Sequence, residues 1–344
     1  MNFKLTQTSK IYLVCPANHA TGGTEVIHQL ANKLTSLGFS NTKIYYLNQT
    51  HTNPVHENFL KYNTHHTNYI VDRGENLLIV PEIYTDFLYR YHRIQKSIWW
   101  LSVDNYLIKR KLNFSFFHLV KKSIRNRKVF LPKKIFTFQS KDSGKILHLY
   151  QSEYAKSFLV KNNISIQKKA LSDYLNTVFI NESLKYSFKK DNILYNPSKG
   201  FEFTKKIISK RPDLNWFPIQ NMRPQEVQDI LSISKIYIDF GHHPGKDRLP
   251  REAALSGCCI ITGKKGAAAN KNDISIPEEY KFDEKTVSLA SIISKIEDCL
   301  QNYSLRVKDF TEYCENIKKE EQVFEESVRK IFLSEDFHSQ DQNQ

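Results

Sequence analysis

The sequence predicts an α/β fold in two domains, each built around a parallel β-sheet. Short β-branched and aromatic segments of strand length alternate with amphipathic segments of helical period along most of the 344 residues. Parallel strands need crossover connections, which are usually helices, so this alternation is typical of parallel sheets. A chain of this length can bury two cores, and its content of 40% hydrophobic and 12% aromatic residues is that of a globular protein.

The N-terminal half begins with a strand, a glycine-containing loop and a helix. Residues 10–15 (KIYLVC) are predicted as a buried strand, and apolar residues recur at helical spacing from Val26 to Leu37. Gly22 and Gly23 separate the two elements and allow backbone amides to approach a ligand closely. A plain turn before a helix would show the same pair, so the sequence leaves both interpretations open.

Three further strands follow in this half, predicted at 42–47, 77–80 and 97–105. The last of them is expected to end at Asp104. A polar side chain at the carboxyl end of a parallel strand lies on the side of the sheet where ligands bind. The alternative is that Asp104 caps a helix that follows the strand.

Residues 107–135, the basic segment, contain ten Lys and Arg and no acidic residue. Its aromatic residues are Phe114, Phe116, Phe117 and Phe130. Such a segment can lie on an anionic bilayer with its aromatic side chains at the interface. A nucleic-acid surface would show similar chemistry, and a partly buried helix with a solvated basic face is the third interpretation.

The domain boundary is predicted in the polar, basic stretch 176–190, after a strand and helix within 147–175. The first domain is therefore expected to cover residues 1–180 and the second residues 190–316. Residues 285–333 are helical by pattern, and a helix at about 317–333 is assigned to the first domain. The polar residues 334–344 are expected to be a disordered tail.

The second half repeats the alternation of strands and helices. A strand around Leu194 leads into a loop that contains Lys199 and Gly200, and an amphipathic helix follows. Another strand and the loop after it are predicted within 215–221, and a helix at 223–235.

Residues 236–262 (IYIDFGHHPGKDRLPREAALSGCCIIT) combine a strand, a polar loop, a helix and a second strand. Pro250 is predicted as the first helical residue, and Gly257 ends the helix. Charged side chains and free helix amides would then lie at the carboxyl end of a parallel strand, where phosphates bind well. The alternative is a solvated salt-bridge cluster that only caps the helix.

The run PREAALSGCCIIT at 250–262 resembles the donor-binding segment of glycosyltransferases of the GT-B fold, close to glycosyltransferase family 4. The resemblance implies two Rossmann-like domains that face a cleft, with a C-terminal helix crossing back to the first domain. It also implies that Glu252 contacts the ribose or sugar hydroxyls of a nucleotide-sugar. The family's second glutamate, eight residues earlier, is replaced here by Pro244.

Other donor-binding residues follow from the same resemblance. Lys199 matches the family lysine that places an ammonium on the donor diphosphate, and Gly22 and Gly23 match a glycine pair that borders the cleft. An arginine that usually precedes the lysine is missing, so a second cation is expected from the 240–248 region. The donor-binding residues expected there are His243, Gly245, Lys246, Asp247 and Arg248.

The expected activity is sugar transfer to a glycan or lipid-linked acceptor, in bacterial surface-polysaccharide synthesis. If the reaction inverts the anomeric centre, a base from the first domain is needed, and Asp104 is preferred over Glu25. Lysine and arginine can offset the charge of the leaving diphosphate, so no metal and no other cofactor are expected. The adjacent His242 and His243 lack an acidic or cysteine partner at metal-ligand spacing in the sequence.

The overall composition favours an anionic partner and a reducing compartment. Fifty Lys and Arg against 36 Asp and Glu give a net charge of +14, and the five cysteines have no CxxC spacing. The chain has no run of eighteen apolar residues. A cytoplasmic protein, peripheral on the inner face of the membrane, is therefore expected.

Two rival functions come from other classes. A sugar-nucleotide epimerase shares the GT-B layout but should show further carboxylates and a histidine acting on the sugar. A protein that binds nucleic acid or membranes would use the basic segment and leave residues 236–262 without a role, so no nucleic-acid partner is expected.

Overall fold

The structure is a computed structural model that describes residues 3–48, 53–141, 143–175 and 188–333. It contains two compact units. Unit 1 is Met1–Gln151, Ala155–Ser172 and Val323–Gln344, and unit 2 is Ser152–Tyr154 and Asp173–Gln322. Most of the predicted linker and the whole predicted tail at 334–344 lie outside the described residues.

Unit 1 is built on a seven-stranded parallel sheet with the order β3-β2-β1-β4-β5-β6-β7. The strands are β1 (Ile11–Pro16), β2 (Thr42–Leu47), β3 (His66–Thr67), β4 (Leu77–Pro81), β5 (Gln95–Trp100), β6 (Leu147–Tyr150) and β7 (Lys168–Ala170). The central strands β1 and β4 are apolar on both faces and almost fully buried. Helices cover both faces of a parallel sheet, so its central strands are apolar at successive positions and do not alternate with polar residues.

The helices of this part of the chain are α1 (Gly22–Ser36), α2 (Val103–Phe114), α3 (Phe116–Asn126) and α4 (Glu153–Lys161). The last helix, α11 (Glu320–Phe332), starts in unit 2 and continues in unit 1. Within unit 1, Glu325 on α11 accepts a 2.9 Å bond from Lys33, and Phe332 stacks on Phe3.

Unit 2 is built on a five-stranded parallel sheet with the order β12-β11-β10-β8-β9. Its strands are β8 (Lys190–Tyr195), β9 (Asn215–Pro218), β10 (Ser234–Asp239), β11 (Cys259–Gly263) and β12 (Lys281–Phe282). Its helices are α5 (Phe201–Lys210), α6 (Pro224–Ser232), α7 (Arg248–Leu255), α8 (Leu289–Gln301), α9 (Tyr303–Arg306) and α10 (Thr311–Lys318). The prediction of an α/β fold with two parallel sheets is confirmed.

Each sheet has one point where the strand order reverses direction. The reversal lies between β1 and β4 in unit 1 and between β8 and β10 in unit 2. In open α/β sheets, ligands bind in the crevice outside the carboxyl ends of the strands at such a point. A ligand-binding site is therefore expected in the loops after β1 and β4 in unit 1 and in the loops after β8 and β10 in unit 2.

Two predicted boundaries were wrong. The strand predicted at 97–105 ends at Trp100, because Ser102 begins helix α2 by accepting a 3.2 Å hydrogen bond from the Asn105 amide. Asp104 therefore lies in the first turn of a helix and not at a strand end. Helix α7 begins at Arg248, so Pro250 is its third residue; a proline is tolerated there because the first amides of a helix have no partner within it.

Candidate functional site

The loop after β8 and the loop after β10 touch through two glycines. Gly200 has a φ of +67°, and a Cβ placed on it would lie 2.5 Å from the Gly241 nitrogen. A Cβ on Gly241 would lie 2.4 Å from Cγ of Lys199. Only glycine fits both positions without movement, and the close approach brings the Lys199 side chain against the end of β10.

The Lys199 ammonium lies between two carboxylates. Its Nζ is 3.0 Å from Oδ2 of Asp239 and also contacts Oδ2 of Asp247. Burial by itself would lower the pKa of Lys199, but the two carboxylates outweigh burial and raise it. The lysine is therefore charged and held in one place.

Asp239 is the fixed member of this cluster. Its carboxylate accepts hydrogen bonds from the Tyr237 hydroxyl at 2.8 Å and from the Gly241 amide at 2.9 Å, and its side chain is fully buried. Burial opposes its charge, but His243 and Lys199 lower the pKa of Asp239 well below its usual value. Sequence reasoning missed Asp239 as a site residue, although it is the one charged residue in the apolar run IYIDF.

His243 is buried between the same two carboxylates. Nδ1 lies 2.9 Å from Oδ2 of Asp247, and Nε2 lies 3.5 Å from Oδ1 of Asp239. Although burial would lower the pKa of His243, Asp239 and Asp247 raise it. A protonated ring would, together with Lys199, balance the two negative charges.

Ligand atoms of Asp239, His243 and Asp247 lie within 4.8 Å of one another, close enough to raise the question of a metal ion. Each ring nitrogen faces a different carboxylate, and the Lys199 ammonium contacts both acids. A metal ion here would compete with the Lys199 ammonium for the oxygens of both acids. The sequence expectation that no acid accompanies the histidines was wrong, whereas the absence of a metal stays a prediction.

The backbone of His243 is held by the segment after β11. The carbonyl of His243 accepts a 2.8 Å hydrogen bond from the Ala267 amide. Gly266 has a φ of +62°, and a Cβ there would lie 2.1 Å from the same carbonyl oxygen. The neighbouring His242 is exposed and packs edge-on against Tyr154.

Asp247 occupies the N-cap position of α7 but makes no side-chain cap hydrogen bond within the described residues. Its carboxylate is directed instead to Lys199 and His243. Next on the helix, Nε of Arg248 lies 3.7 Å from Oε1 of Glu252, one turn along. Asp247 thus contacts Lys199, and His243 lies against Asp239. Arg248 is paired with Glu252.

Arg251 is a second residue that sequence reasoning missed. Its guanidinium is fully buried and donates to Asp173 at 2.7 Å and to Glu320 at 2.6 Å. It also donates to the backbone carbonyls of Lys246 and Asp247. The Lys246 ammonium lies 2.6 Å from Glu320, and Gly245 is buried in the bend before it. Arg251 therefore holds the backbone at the end of the 240–247 loop, through the carbonyls of Lys246 and Asp247.

The residues predicted in the first domain all lie in unit 1, around helices α1 and α2. Gly22 and Gly23 form the first turn of α1 and not a loop, because Thr21 caps the helix. Oε1 of Glu25 accepts hydrogen bonds from the Tyr62 hydroxyl at 2.7 Å and from Lys61 at 3.2 Å. Asp104 is half-buried on α2.

Glu82, which the sequence did not single out, directly follows β4 at the reversal point of the unit 1 sheet. It is buried and accepts a 3.0 Å hydrogen bond from the Leu101 amide. Burial raises the pKa of Glu82 from its ordinary value near 4.5 to about 7.

The basic segment forms α2, α3 and the chain that follows them. Within the described part of the chain, no residue of α3 is buried. Phe116 is 74% exposed, Phe117 85% and Ile124 73%. None of the described helices is long and apolar enough to cross a bilayer.

Comparison with known proteins bears on the fold. No protein-family model matches the chain, and no curated protein matches its sequence. Among solved structures it is similar to WaaG, a glycosyltransferase involved in lipopolysaccharide biosynthesis, with a TM-score of 0.56 and 11% identity over 94% of this chain and 100% of WaaG. It is also similar to HepE from Anabaena, solved in complex with UDP-glucose, with a TM-score of 0.56 and 8% identity over 93% of this chain and 98% of HepE.

TarM from S. aureus, in complex with fondaparinux, α-GlcNAc-glycerol and UDP, gives a TM-score of 0.54 and 13% identity over 77% of this chain. The chain spans 57% of the length of TarM. At identities this low, the similarity establishes the fold. The chain has the GT-B fold with two Rossmann-like units, as its sequence predicts, and membership of family 4 stays a prediction.

Proposed function

We propose that this protein is a glycosyltransferase that moves a sugar from a nucleotide-sugar donor to a glycan or lipid-linked acceptor. The observation that carries the proposal is the meeting of Lys199, His243 and the start of α7 at the reversal point of the unit 2 sheet. Cations and a helix N-terminus at this position favour phosphate binding. The shared fold supports the proposal, since WaaG is named a glycosyltransferase and HepE was solved with UDP-glucose.

Lys199 is the residue proposed to bind the donor diphosphate and to offset the charge that builds on it as it leaves. Lys246 and Arg248 lie on the same loop and helix and add positive charge. Glu252, one turn into α7, is proposed to hold the ribose or sugar hydroxyls. Because these cations can do the work of a metal ion, the proposed reaction is metal-independent.

Asp104 is the proposed base if the reaction inverts the anomeric centre. Glu25 is the second choice, and one of its oxygens accepts hydrogen bonds from Tyr62 and Lys61. A general base must reach the proton that it removes.

The basic segment is proposed to bind an anionic membrane surface. Its cations and exposed phenylalanines match the two requirements of an interfacial helix, electrostatic attraction and apolar insertion. A lipid-linked acceptor would be found there, which agrees with a peripheral cytoplasmic enzyme of bacterial surface-polysaccharide synthesis. Nucleic acid is the alternative ligand for this segment.

Calorimetry with UDP, GDP, ADP, CMP and their sugar conjugates tests the donor site. We expect saturable binding of one nucleotide, lost in Lys199→Ala and Glu252→Ala. Lys205→Ala is the matched control, because Lys205 is exposed on the neighbouring helix α5. If the folded wild-type protein binds none of these ligands, the donor-site assignment is wrong.

Product analysis separates the transferase from the rival epimerase. A transferase releases free nucleotide in proportion to the glycosylated acceptor, whereas an epimerase converts the sugar nucleotide without any acceptor. Formation of an epimeric sugar nucleotide in the absence of acceptor would reject the transferase.

A further inference from the structure

The groups around the Asp247 carboxylate are those that would bind a phosphate. The Lys199 ammonium contacts its Oδ2, and Nδ1 of His243 lies 2.9 Å from the same oxygen. Helix α7 begins at the residue after Asp247, so its N-terminus belongs to the same loop end. Phosphates are commonly bound by such a combination of cations and helix start.

Asp247 does not do the work that an aspartate at this position usually does. An N-cap aspartate normally accepts a hydrogen bond from an amide of the first helical turn. Within the described residues, the Asp247 side chain makes no such bond. Its carboxylate is turned away from the helix and toward Lys199 and His243.

The two carboxylates of the cluster differ in how firmly they are held. Asp239 is fully buried and receives hydrogen bonds from Tyr237 and Gly241 as well as from Lys199. The side chain of Asp247 is 24% exposed, at the start of a helix and the end of a loop. Asp247 can therefore leave the cluster by rotating toward solvent, whereas Asp239 cannot.

The charges of the cluster are balanced only while the Asp247 carboxylate is part of it. When His243 is protonated, it and Lys199 carry two positive charges, and Asp239 and Asp247 carry two negative ones. A diphosphate that approached this neutral arrangement would meet the Asp247 carboxylate and little net attraction. Once Asp247 turns away, the remaining groups have a net positive charge.

We infer that the Asp247 carboxylate occupies the place of a donor phosphate and is exchanged for it when the donor binds. Asp247 is thus an internal competitor of the nucleotide diphosphate, and its departure exposes Lys199 and His243. The inference rests on the proposed function, because it assigns the cluster to the donor diphosphate. It changes the role expected for Asp247 from a ligand of the donor to a group that the donor displaces.

Asp247→Asn tests the exchange, because asparagine keeps the size and the capping ability of aspartate and removes the charge. Binding of inorganic pyrophosphate and of the nucleoside diphosphate found in the screen is measured by calorimetry at fixed pH and salt. We expect both to bind about tenfold more tightly to Asp247→Asn, since one charge-assisted competitor is gone. In the Lys199→Ala background the gain should shrink.

The control is Asp213→Asn, which removes an exposed aspartate paired with Arg211 and should leave the affinity unchanged. A thermal melt checks folding, and Asp247→Ser is a second variant that keeps a good cap. Equal or weaker binding by both folded Asp247 variants, with the wild type still binding, overturns the inference and leaves the proposed function standing. No binding by any folded variant overturns the donor site itself.

Discussion

The cluster of Lys199, Asp239, His243 and Asp247 and the basic segment are both proposed to bind an anionic partner, but they are built in opposite ways. In the cluster, His243 is buried and Lys199 half-buried, both lie against carboxylates, and two glycines bring the loops into contact. In the basic segment, ten Lys and Arg have no acid among them, and Phe114, Phe116 and Phe117 face solvent. A cation held between carboxylates selects a ligand by geometry, whereas exposed charge attracts any anionic surface and is weakened by salt.

The largest expected effect is that of Lys199→Ala on sugar transfer. Loss of one preorganised charge donor typically costs about 100- to 1000-fold in rate, and we expect a fall of this size in kcat/KM for the nucleotide-sugar. Binding to anionic vesicles should not change. If the same variant also lost vesicle binding, the two regions would not be separate sites.

Gly200→Ala should be strongly destabilising, because the new Cβ meets backbone atoms at 2.5 Å and the φ of +67° is unfavourable for alanine. We expect the free energy of unfolding to fall by about 3 kcal/mol. Urea denaturation measures the change. Gly144→Ala is the control, since a Cβ on Gly144 would meet no described atom within 4 Å; equal stabilities of the two variants would contradict the tight contact of the two loops.

The double variant Lys121→Gln, Lys122→Gln should weaken binding to vesicles that contain an anionic lipid. Each lysine near such a surface contributes about 1 kcal/mol, so the loss should be about thirtyfold. Cosedimentation with phosphatidylglycerol vesicles measures it, and exposed Lys205→Gln, Lys206→Gln on α5 is the matched control. Stronger binding to RNA than to vesicles would assign the basic segment to nucleic acid.

The smallest expected effect concerns Glu82 at the reversal point of the other sheet. Because burial raises the pKa of Glu82 from near 4.5 to about 7, the folded state holds a proton that the unfolded state has lost between these values. Stability from this group is therefore present below pH 4.5 and is lost as the pH rises to 7, with a maximum slope of about 1.4 kcal/mol per pH unit.

Urea denaturation of wild type and Glu82→Gln at pH 5.5 and 6.5 checks this effect. The wild type should lose about 1 kcal/mol between the two pH values from this group, and the variant should not. The exposed Glu75→Gln serves as the control. The same pH dependence in Glu82→Gln and wild type would show that Glu82 is not the group that titrates.

Local patterns in the sequence were enough for most of the fold. The strand TKIYYL, for example, was predicted at 42–47 and is found at Thr42–Leu47. The strand predicted at 97–105 failed because a serine that caps a helix looks like one more residue of a strand. The class and the parallel sheets followed from the alternation of strands and helices, since parallel strands need crossover connections.

The site was only partly predictable, because its contacts join residues far apart in sequence. Lys199 and Asp247 were both predicted as site residues, but their contact depends on the touch of Gly200 and Gly241, which no local pattern shows. Arg251 was hidden for the same reason, since its partners Asp173 and Glu320 lie at the two ends of unit 2. The roles of the predicted residues remain predictions.

The Arg251 pairs determine where the chain can be cut to produce unit 2 alone. A fragment limited to residues 190–316, the boundaries expected from the sequence, would lack both carboxylates that hold this buried guanidinium. Leaving a buried charge without its partner typically costs about 3–5 kcal/mol, and the fragment should express poorly or unfold. A fragment meant to keep these pairs has to contain Asp173 at one end and helix α11, which carries Glu320, at the other.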